Sequence, residues 1–336
     1  MNGEEINAPI LEVKNLKQHF KIGNNFLWHK GEQTVRAVDD ISFSIAKNKT
    51  LGLVGESGCG KSTTLRSIMQ LYRPTQGKVL LEGKELTSLS QKELNLVRKD
   101  MQMVFQDPYA SLNPRMTVDS ILREPLSIVA KNENKRLNSY EKISFTPSMK
   151  ERYPHEFSGG QRQRIGIARA LMTNPKVILA DEPVSALDVS IQAQILNLLK
   201  DLQKEFGLTY LFIAHDLAVV KYMSDEVVVM YLGTIAEQAP SNTLYLEPKH
   251  PYTQALLSAV PIPDPAIEKE RQRIVLNGDL PSPMQKQKGC FFYDRCFKRM
   301  AKCAQQRPAN KEVSPGHRVA CFLYHDEVYQ ETNSKD

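Results

Sequence analysis

The segment GESGCGKST, residues 55–63, sets three glycines ahead of a lysine and two hydroxyl residues in the spacing G-x-x-x-x-G-K-[ST]. Glycine lets a backbone wrap an anion with its N–H groups pointing inward, and a helix start behind the loop adds a favourable dipole. In such a loop Lys61 reaches the β- and γ-phosphates of a nucleoside triphosphate, and Ser62 holds Mg²⁺. A second segment, KVILADE at residues 176–182, ends an apolar run in two carboxylates. Asp181 can bind the Mg²⁺ directly or through water, and Glu182 can orient or deprotonate an attacking water. A third, FSGGQRQRIGIARAL at 157–171, opens a helix with Ser158, Gly159 and Gly160 and carries Ile165, Ala168 and Leu171 at helical spacing. Its bare N–H groups suit another anion. A second anion-seeking helix start implies a second nucleotide surface, usable when two such domains face each other.

Two further features bear on chemistry. His215 and Asp216 follow the apolar run LTYLFIAH, which places an imidazole at a strand end. The tail is unusual: Cys290, Cys296, Cys303 and Cys321 stand in the spacing C-x5-C-x6-C-x17-C, in a chain with only five cysteines. Lys286 to His325 holds nine Lys or Arg against two acids, an excess that suits four thiolates. Four thiolates leave either a Zn²⁺ site or a +2 four-iron cluster with the same net charge, so charge does not choose between them. The spacing lacks the C-x2–4-C pairs common in structural zinc sites and misses the common ferredoxin spacings, so unligated buried thiols are the other reading. Cys59, inside GESGCGKST, occupies a position where a small side chain suffices.

The elements that must position these residues are legible in the hydrophobic pattern. TLGLVG, KVILAD and LTYLFIAH are near-continuous apolar runs alternating with helical segments such as KSTTLRSIMQLY and SIQAQILNLLKDLQKEF. Strands of that kind are buried on both faces, which predicts an α/β fold with a parallel sheet between helices. Composition agrees: 41% hydrophobic and 24% charged over 336 residues is an ordinary globular balance. No apolar run reaches the roughly 18 residues of a membrane span, and MNGEEINAPI has neither the charged nor the apolar region of a signal peptide. A cytosolic chain is expected, in which five cysteines favour metal or free thiol over disulfide. The net charge of +6 is too mild to argue for nucleic acid. Proline-rich stretches at 245–254 and 259–270 place a domain boundary near residue 245.

The ordered set GESGCGKS, VFQDP, FSGGQ, ILADE, SALD and IAHD resembles the ATP-binding domain of an ABC transporter over residues 10–245. Residue by residue, Gly55, Glu56, Ser57, Gly58, Cys59, Gly60, Lys61, Ser62 and Thr63 resemble the Walker A loop, and Gln106 resembles the Q-loop glutamine that also reaches Mg²⁺. Ser158, Gly159, Gly160 and Gln161 resemble the signature motif, with Phe157 where the family usually has Leu. Asp181 and Glu182 resemble the Walker B carboxylates, Ser185, Ala186, Leu187 and Asp188 the D-loop, and His215 the switch histidine. Phe20 sits where the family stacks an aromatic on adenine, with Phe26 and Trp28 close by in sequence.

The resemblance implies a P-loop NTPase (RecA-like) domain at 1–245, with a helical subdomain at about 107–170 and an antiparallel β part. A small cysteine-containing extension at 246–336 would follow. It implies ATP and Mg²⁺ as ligands, two such domains stacked head to tail, and an ATP between one subunit's Walker A and the other's signature. Binding would close the pair and hydrolysis reopen it, with Glu182, His215 and Lys61 as the catalytic residues. DPYASLNPRMTV, ERYPHEFSGGQRQRIGIARAL and KHPYTQALLSAVPIPDP resemble the subgroup that powers oligopeptide and dipeptide import. Its implied partners are a second, related ATPase chain, two membrane permeases and an extracellular binding protein, at the cytoplasmic face of the membrane. Related ATPases carry an iron–sulfur cluster at matching cysteines, which puts [4Fe–4S] ahead of zinc. A translation or repair ATPase would bring two cassettes or a long coiled coil, a P-loop kinase or GTPase would lack FSGGQ, and an exporter would usually bring fused membrane helices. The stretch 131–150, KNENKRLNSYEKISFTPSMK, is polar and departs from the family pattern.

Overall fold

The computed structural model describes residues 8–22, 33–129, 147–260, 273–278, 281–282, 284 and 288–325. Phe26 and Trp28 lie outside these residues, as does 131–146 of the stretch that departs from the family pattern.

In chain order the strands are β1 (Pro9–Ile22), β2 (Gln33–Ala46), β3 (Thr50–Val54), β4 (Gln76–Leu81), β5 (Lys84–Glu85), β6 (Met101–Val104), β7 (Val177–Asp181), β8 (Thr209–Ile213), β9 (Glu226–Tyr231), β10 (Thr234–Pro240), β11 (Lys311–Ser314) and β12 (His317–Val319). The helices are α1 (Lys61–Ile68), α2 (Gln91–Val97), α3 (Pro108–Ser111), α4 (Val118–Val129), α5 (Gly159–Leu171), α6 (Val189–Phe206), α7 (Leu217–Met223), α8 (Ser241–Leu246), α9 (Pro251–Ser258) and α10 (Ala301–Gln305).

Two sheets form. The larger has eight strands in the order β11-β12-β10-β9-β3-β8-β7-β6, parallel from β9 to β6. Every residue of β3, β7 and β8 is buried, as their unbroken apolar sequences require of strands covered on both faces. The smaller sheet is antiparallel, in the order β2-β1-β4-β5. Apolar side chains on one face of the large sheet pack with β1, β2 and α1, among them Leu11, Ile41, Leu53, Leu65 and Leu179. Those on the other face pack with the helical layer, among them Ile165, Ile178, Ile195, Leu199 and Phe212. The sheet is thus sandwiched, and the turns at the C-terminal ends of β3, β6, β7 and β8 emerge together, where ligands collect in open α/β sheets.

The segment beyond α8 does not stand apart from the sheet. β12 pairs antiparallel with β10, Glu237 opposite Val319 and Gln238 opposite Arg318, and β11 completes a hairpin. A buried polar joint fixes this register. Glu237 accepts hydrogen bonds from Lys249 N (2.7 Å) and His250 N (2.9 Å), and its carboxylate lies 2.7 Å from His317 Nε2. Glu237 and His317 are both wholly buried, so a carboxylate that would be costly alone is satisfied by three partners. Among the described residues no helix is long and apolar enough to cross a membrane.

Candidate nucleotide site

Residues 55–60 form the turn between β3 and α1, and their backbone explains the glycines. Gly60, the residue preceding α1, has φ +104, and a Cβ there would stand 2.2 Å from Ala37 O. At Gly55, φ is +150 and a Cβ would meet Met230 O at 2.2 Å. No L side chain fits either place, so the loop's path is written into its glycines. Cys59 is buried beneath the loop, where burial pushes its thiol up from the ordinary value. Lys61 is 6% exposed and folds back, donating to Gly55 O (2.7 Å) and Glu56 O (3.1 Å). Its ammonium therefore lies within the ring of loop carbonyls, at the mouth of the turn.

Ser62 and Asp181 meet next to it. Ser62 Oγ donates to Asp181 Oδ1 at 2.9 Å, joining the first turn of α1 to the end of β7. Asp181 is 4% exposed; burial raises its pKa, against the pull of the Ser62 hydrogen bond and of Arg66 and Lys61. A hydroxyl and a carboxylate oxygen at this spacing fit a hard cation. Mg²⁺ takes one or two protein oxygens and completes its shell with phosphate and water.

Glu182 leaves β7 with φ +48, a left-handed conformation in a residue with a Cβ. The turn is held by Glu182 N donating to Ile213 O (3.1 Å) and by Ser185, whose N and Oγ both donate to Glu182 O (3.3 and 3.1 Å). This directs the carboxylate toward two residues from other strand ends. Gln106 Nε2 donates to Glu182 Oε2 at 3.0 Å, and His215 Nδ1 lies 3.6 Å from the same oxygen. Asp216 caps α7 by accepting from Ala218 N at 2.7 Å, which fixes the chain just after His215.

Other expected residues lie elsewhere. Ser158 caps α5, its Oγ accepting from Gln161 N while Gln161 Oε1 accepts from Ser158 N, a reciprocal capping box. Gly160 brings α5 close to α6, since a Cβ there would stand 2.5 Å from Ile191 Cγ2, and Gly159 faces Leu187 at 3.4 Å. The signature turn and the 185–188 turn therefore touch each other. Among the described residues no hydrogen bond joins the signature turn to the phosphate loop of the same chain. Phe157 is buried in the core beside them. Phe20 packs edge-to-face on Tyr72 with centroids 5.4 Å apart.

Sequence reasoning missed one group at this site. Arg295 donates through Nη1 and Nη2 to both carboxylate oxygens of Glu56, at 2.7 and 3.1 Å, and Tyr252 Oη accepts from Glu56 N at 2.9 Å. No spacing rule could link residues 239 positions apart.

The expectation of a metal at the four cysteines is overturned. Cys290, Cys296, Cys303 and Cys321 do line one small cavity, together with Phe292, Met300, Pro308 and Phe322. Yet among the described residues no group of three or more Cys, His, Asp or Glu side chains is arranged to hold an ion, so neither an iron–sulfur cluster nor zinc is indicated. The apolar surroundings account for this. Burial pushes the Cys290 thiol up to about 11 and the Cys321 thiol up to about 12, and raises Cys296 too. Neutral thiols packed against aromatic rings behave as small apolar groups rather than ligands.

With this geometry in hand, comparison with known proteins is direct. A family model described as "ABC transporter" matches residues 38–185, and one described as "Oligopeptide/dipeptide transporter, C-terminal region" matches 236–303. The oligopeptide transport ATP-binding protein AppF of Bacillus subtilis is 53% identical over 321 residues, covering 94% of this chain and 97% of its own. The oligopeptide transport ATP-binding protein OppF of Haemophilus influenzae is 52% identical over 320 residues, covering 93% and 96%. Among solved structures, the dimeric ATP-binding cassette MJ0796 in a post-hydrolysis state bound to ADP and Pi superimposes with a TM-score of 0.60. It shows 29% identity, over 69% of this chain and 98% of that one. The chain belongs to the family of ABC transporter ATP-binding proteins, an ATPase family, in its oligopeptide/dipeptide transporter branch.

Proposed function

We propose that this chain is the ATP-hydrolysing subunit of an importer of oligopeptides or dipeptides. One observation carries the chemistry: Glu182 is held between Gln106 and His215, beside the Ser62–Asp181 pair and the phosphate loop. The peptide class rests on similarity to AppF and OppF and on the family match at 236–303.

In this reading the amides of residues 55–63 and the Lys61 ammonium hold the triphosphate, and Phe20 stacks on the adenine. Ser62, Asp181 and Gln106 hold Mg²⁺, which supplies charge neutralisation to the phosphoryl group. Glu182 orients and polarises the attacking water, and His215 contacts the γ-phosphate. The signature residues Ser158 to Gln161, which make no hydrogen bond to this chain's own phosphate loop among the described residues, complete the site of a second ATPase subunit, with residues 185–188 at the join. That subunit is a related chain. ATP between the two subunits closes the pair, and its hydrolysis removes the bridge.

The division of labour follows residue 245, with ATP chemistry before it and the peptide-transporter extension after it. Within 107–170, the helices α3, α4 and α5 belong to the helical part that faces the membrane. A groove of about 460 Å³ lined by Leu71, Met103, Phe105, Glu124 and Arg169 offers two permease subunits an apolar seat with charged edges, on the cytoplasmic side. An extracellular binding protein delivers the substrate, and no nucleic acid is involved.

The test is reconstitution with the two permeases and the binding protein, measuring ATP-dependent uptake of labelled peptides. Uptake of di- or oligopeptides that stops without ATP is the expected result. ATP hydrolysis stimulated only by a non-peptide solute would contradict the peptide reading.

A further inference from the structure

The phosphate loop is held from outside by residues far along the chain. Glu56, its second residue, meets Arg295 in a two-pronged ion pair and gives its amide hydrogen to Tyr252 Oη. Both partners are rigidly seated. Tyr252 is wholly buried, its ring 4.7 Å from that of Tyr231 and 5.4 Å from that of Phe292. Arg295 is 10% exposed and closes a short turn whose base is pinned by Cys290 N donating to Cys303 O at 2.8 Å. Gly289 permits this close approach, because a Cβ there would stand 2.2 Å from Cys303 O.

Two physical consequences follow. A loop rich in glycine loses much backbone freedom when it closes on a ligand, and a preformed loop loses less. Glu56 also places a negative charge beside the amides that would face a triphosphate, and Arg295 neutralises it. A bidentate, partly buried guanidinium–carboxylate pair is stronger than a fully exposed ion pair.

We propose that Arg295 and Tyr252, from the segment beyond residue 245, clamp the phosphate loop through Glu56, with Arg295 neutralising the Glu56 charge beside the phosphate-facing amides and thereby setting the affinity for ATP. The clamp rests on the ATPase reading above. It deepens that reading by giving the extension a direct role in nucleotide binding.

Equilibrium titration of the full chain with a fluorescent ATP analogue tests it, alongside thermal melting without nucleotide. Arg295→Ala should weaken binding about tenfold, within the usual range of coupling between sites, and Tyr252→Phe about threefold. Adding Glu56→Gln to Arg295→Ala removes the unbalanced charge and should recover most of the loss, which a merely structural staple would not do. If Arg295→Ala melts early, Arg295→Lys, which keeps the charge but loses the fork, should show an intermediate affinity at near-parent stability. Parent-like affinity in Arg295→Ala, or no recovery in the double variant, overturns the clamp while leaving the ATPase reading intact. A parent chain that does not bind the analogue overturns that reading and the clamp with it.

Discussion

Gln106 donates from Nε2 to Glu182 Oε2 across 3.0 Å, tying the residue that leads into the helical layer to the carboxylate just past the end of β7. Glu182 stands in a left-handed backbone conformation, so its carboxylate depends on such partners for its direction. A movement of the helical layer would thus reach the Glu182 carboxylate through one side-chain amide.

Replacing Gln106 with Ala should lower the substrate-stimulated kcat about tenfold, less than the roughly hundredfold or more that a proton-transfer group contributes, because the amide orients Glu182 without moving a proton itself. ATP binding should weaken by no more than about threefold, since one Mg²⁺ ligand is lost while Lys61, Ser62, Asp181 and the loop amides remain. Steady-state kinetics of the assembled complex check this; an unchanged kcat would show that the amide does not orient Glu182.

Gly160 sets the closeness of the signature helix to α6. In an exposed helix, Gly→Ala would gain about 1 kcal/mol from propensity. Here the new methyl would stand 2.5 Å from Ile191 Cγ2, a branched methyl that cannot swing aside freely, and overpacking costs about 1–3 kcal/mol. Gly160→Ala should therefore be neutral to destabilising by up to about 2 kcal/mol, and truncating Ile191 to Ala in the same chain should restore the propensity gain. Chemical denaturation of the single and double variants measures both.

His250 is buried, and burial lowers its pKa from 6.5 to about 4, with its Nδ1 accepting from Tyr252 N at 3.0 Å. It faces the Glu237 carboxylate and the His317 imidazole across the joint between β10, β12 and α9. In the folded chain His250 stays neutral while the unfolded chain takes up a proton, so its contribution is intact above pH 6.5 and lost as pH falls toward 4. The loss is on the order of 3 kcal/mol. His250→Asn, which keeps an acceptor for the α9 start, should flatten the melting temperature against pH in that window relative to the parent. An identical slope in both would assign the acid sensitivity to other groups.

Much of this architecture is legible in the sequence because local rules suffice for it. The buried parallel strands β3, β7 and β8 read as unbroken apolar runs, and the glycines of residues 55–60 sit where positive φ or close backbone approach demands them. The same runs set Asp181, Gln106 and His215 at or just past strand ends, while the loop after β3 brings Ser62, at the start of α1, to Asp181. What escapes local rules is long-range. The joining of β12 to β10 depends on Glu237 and His317 finding each other, and the Arg295 grip on Glu56 has no periodicity to betray it. The iron–sulfur expectation, which rests on the family resemblance, fails for a related reason. The four cysteines do line one cavity, but its walls of Phe292, Phe322 and Met300, and an arrangement not set to hold an ion among the described residues, come from the tertiary packing.

The central claim is that Glu182 activates the water that cleaves ATP. Glu182→Gln keeps the size and the hydrogen-bonding reach of the side chain and removes its charge. In the assembled complex this variant should bind ATP with parent-like affinity while hydrolysis falls at least about a hundredfold. Hydrolysis by Glu182→Gln at the parent rate would contradict the account.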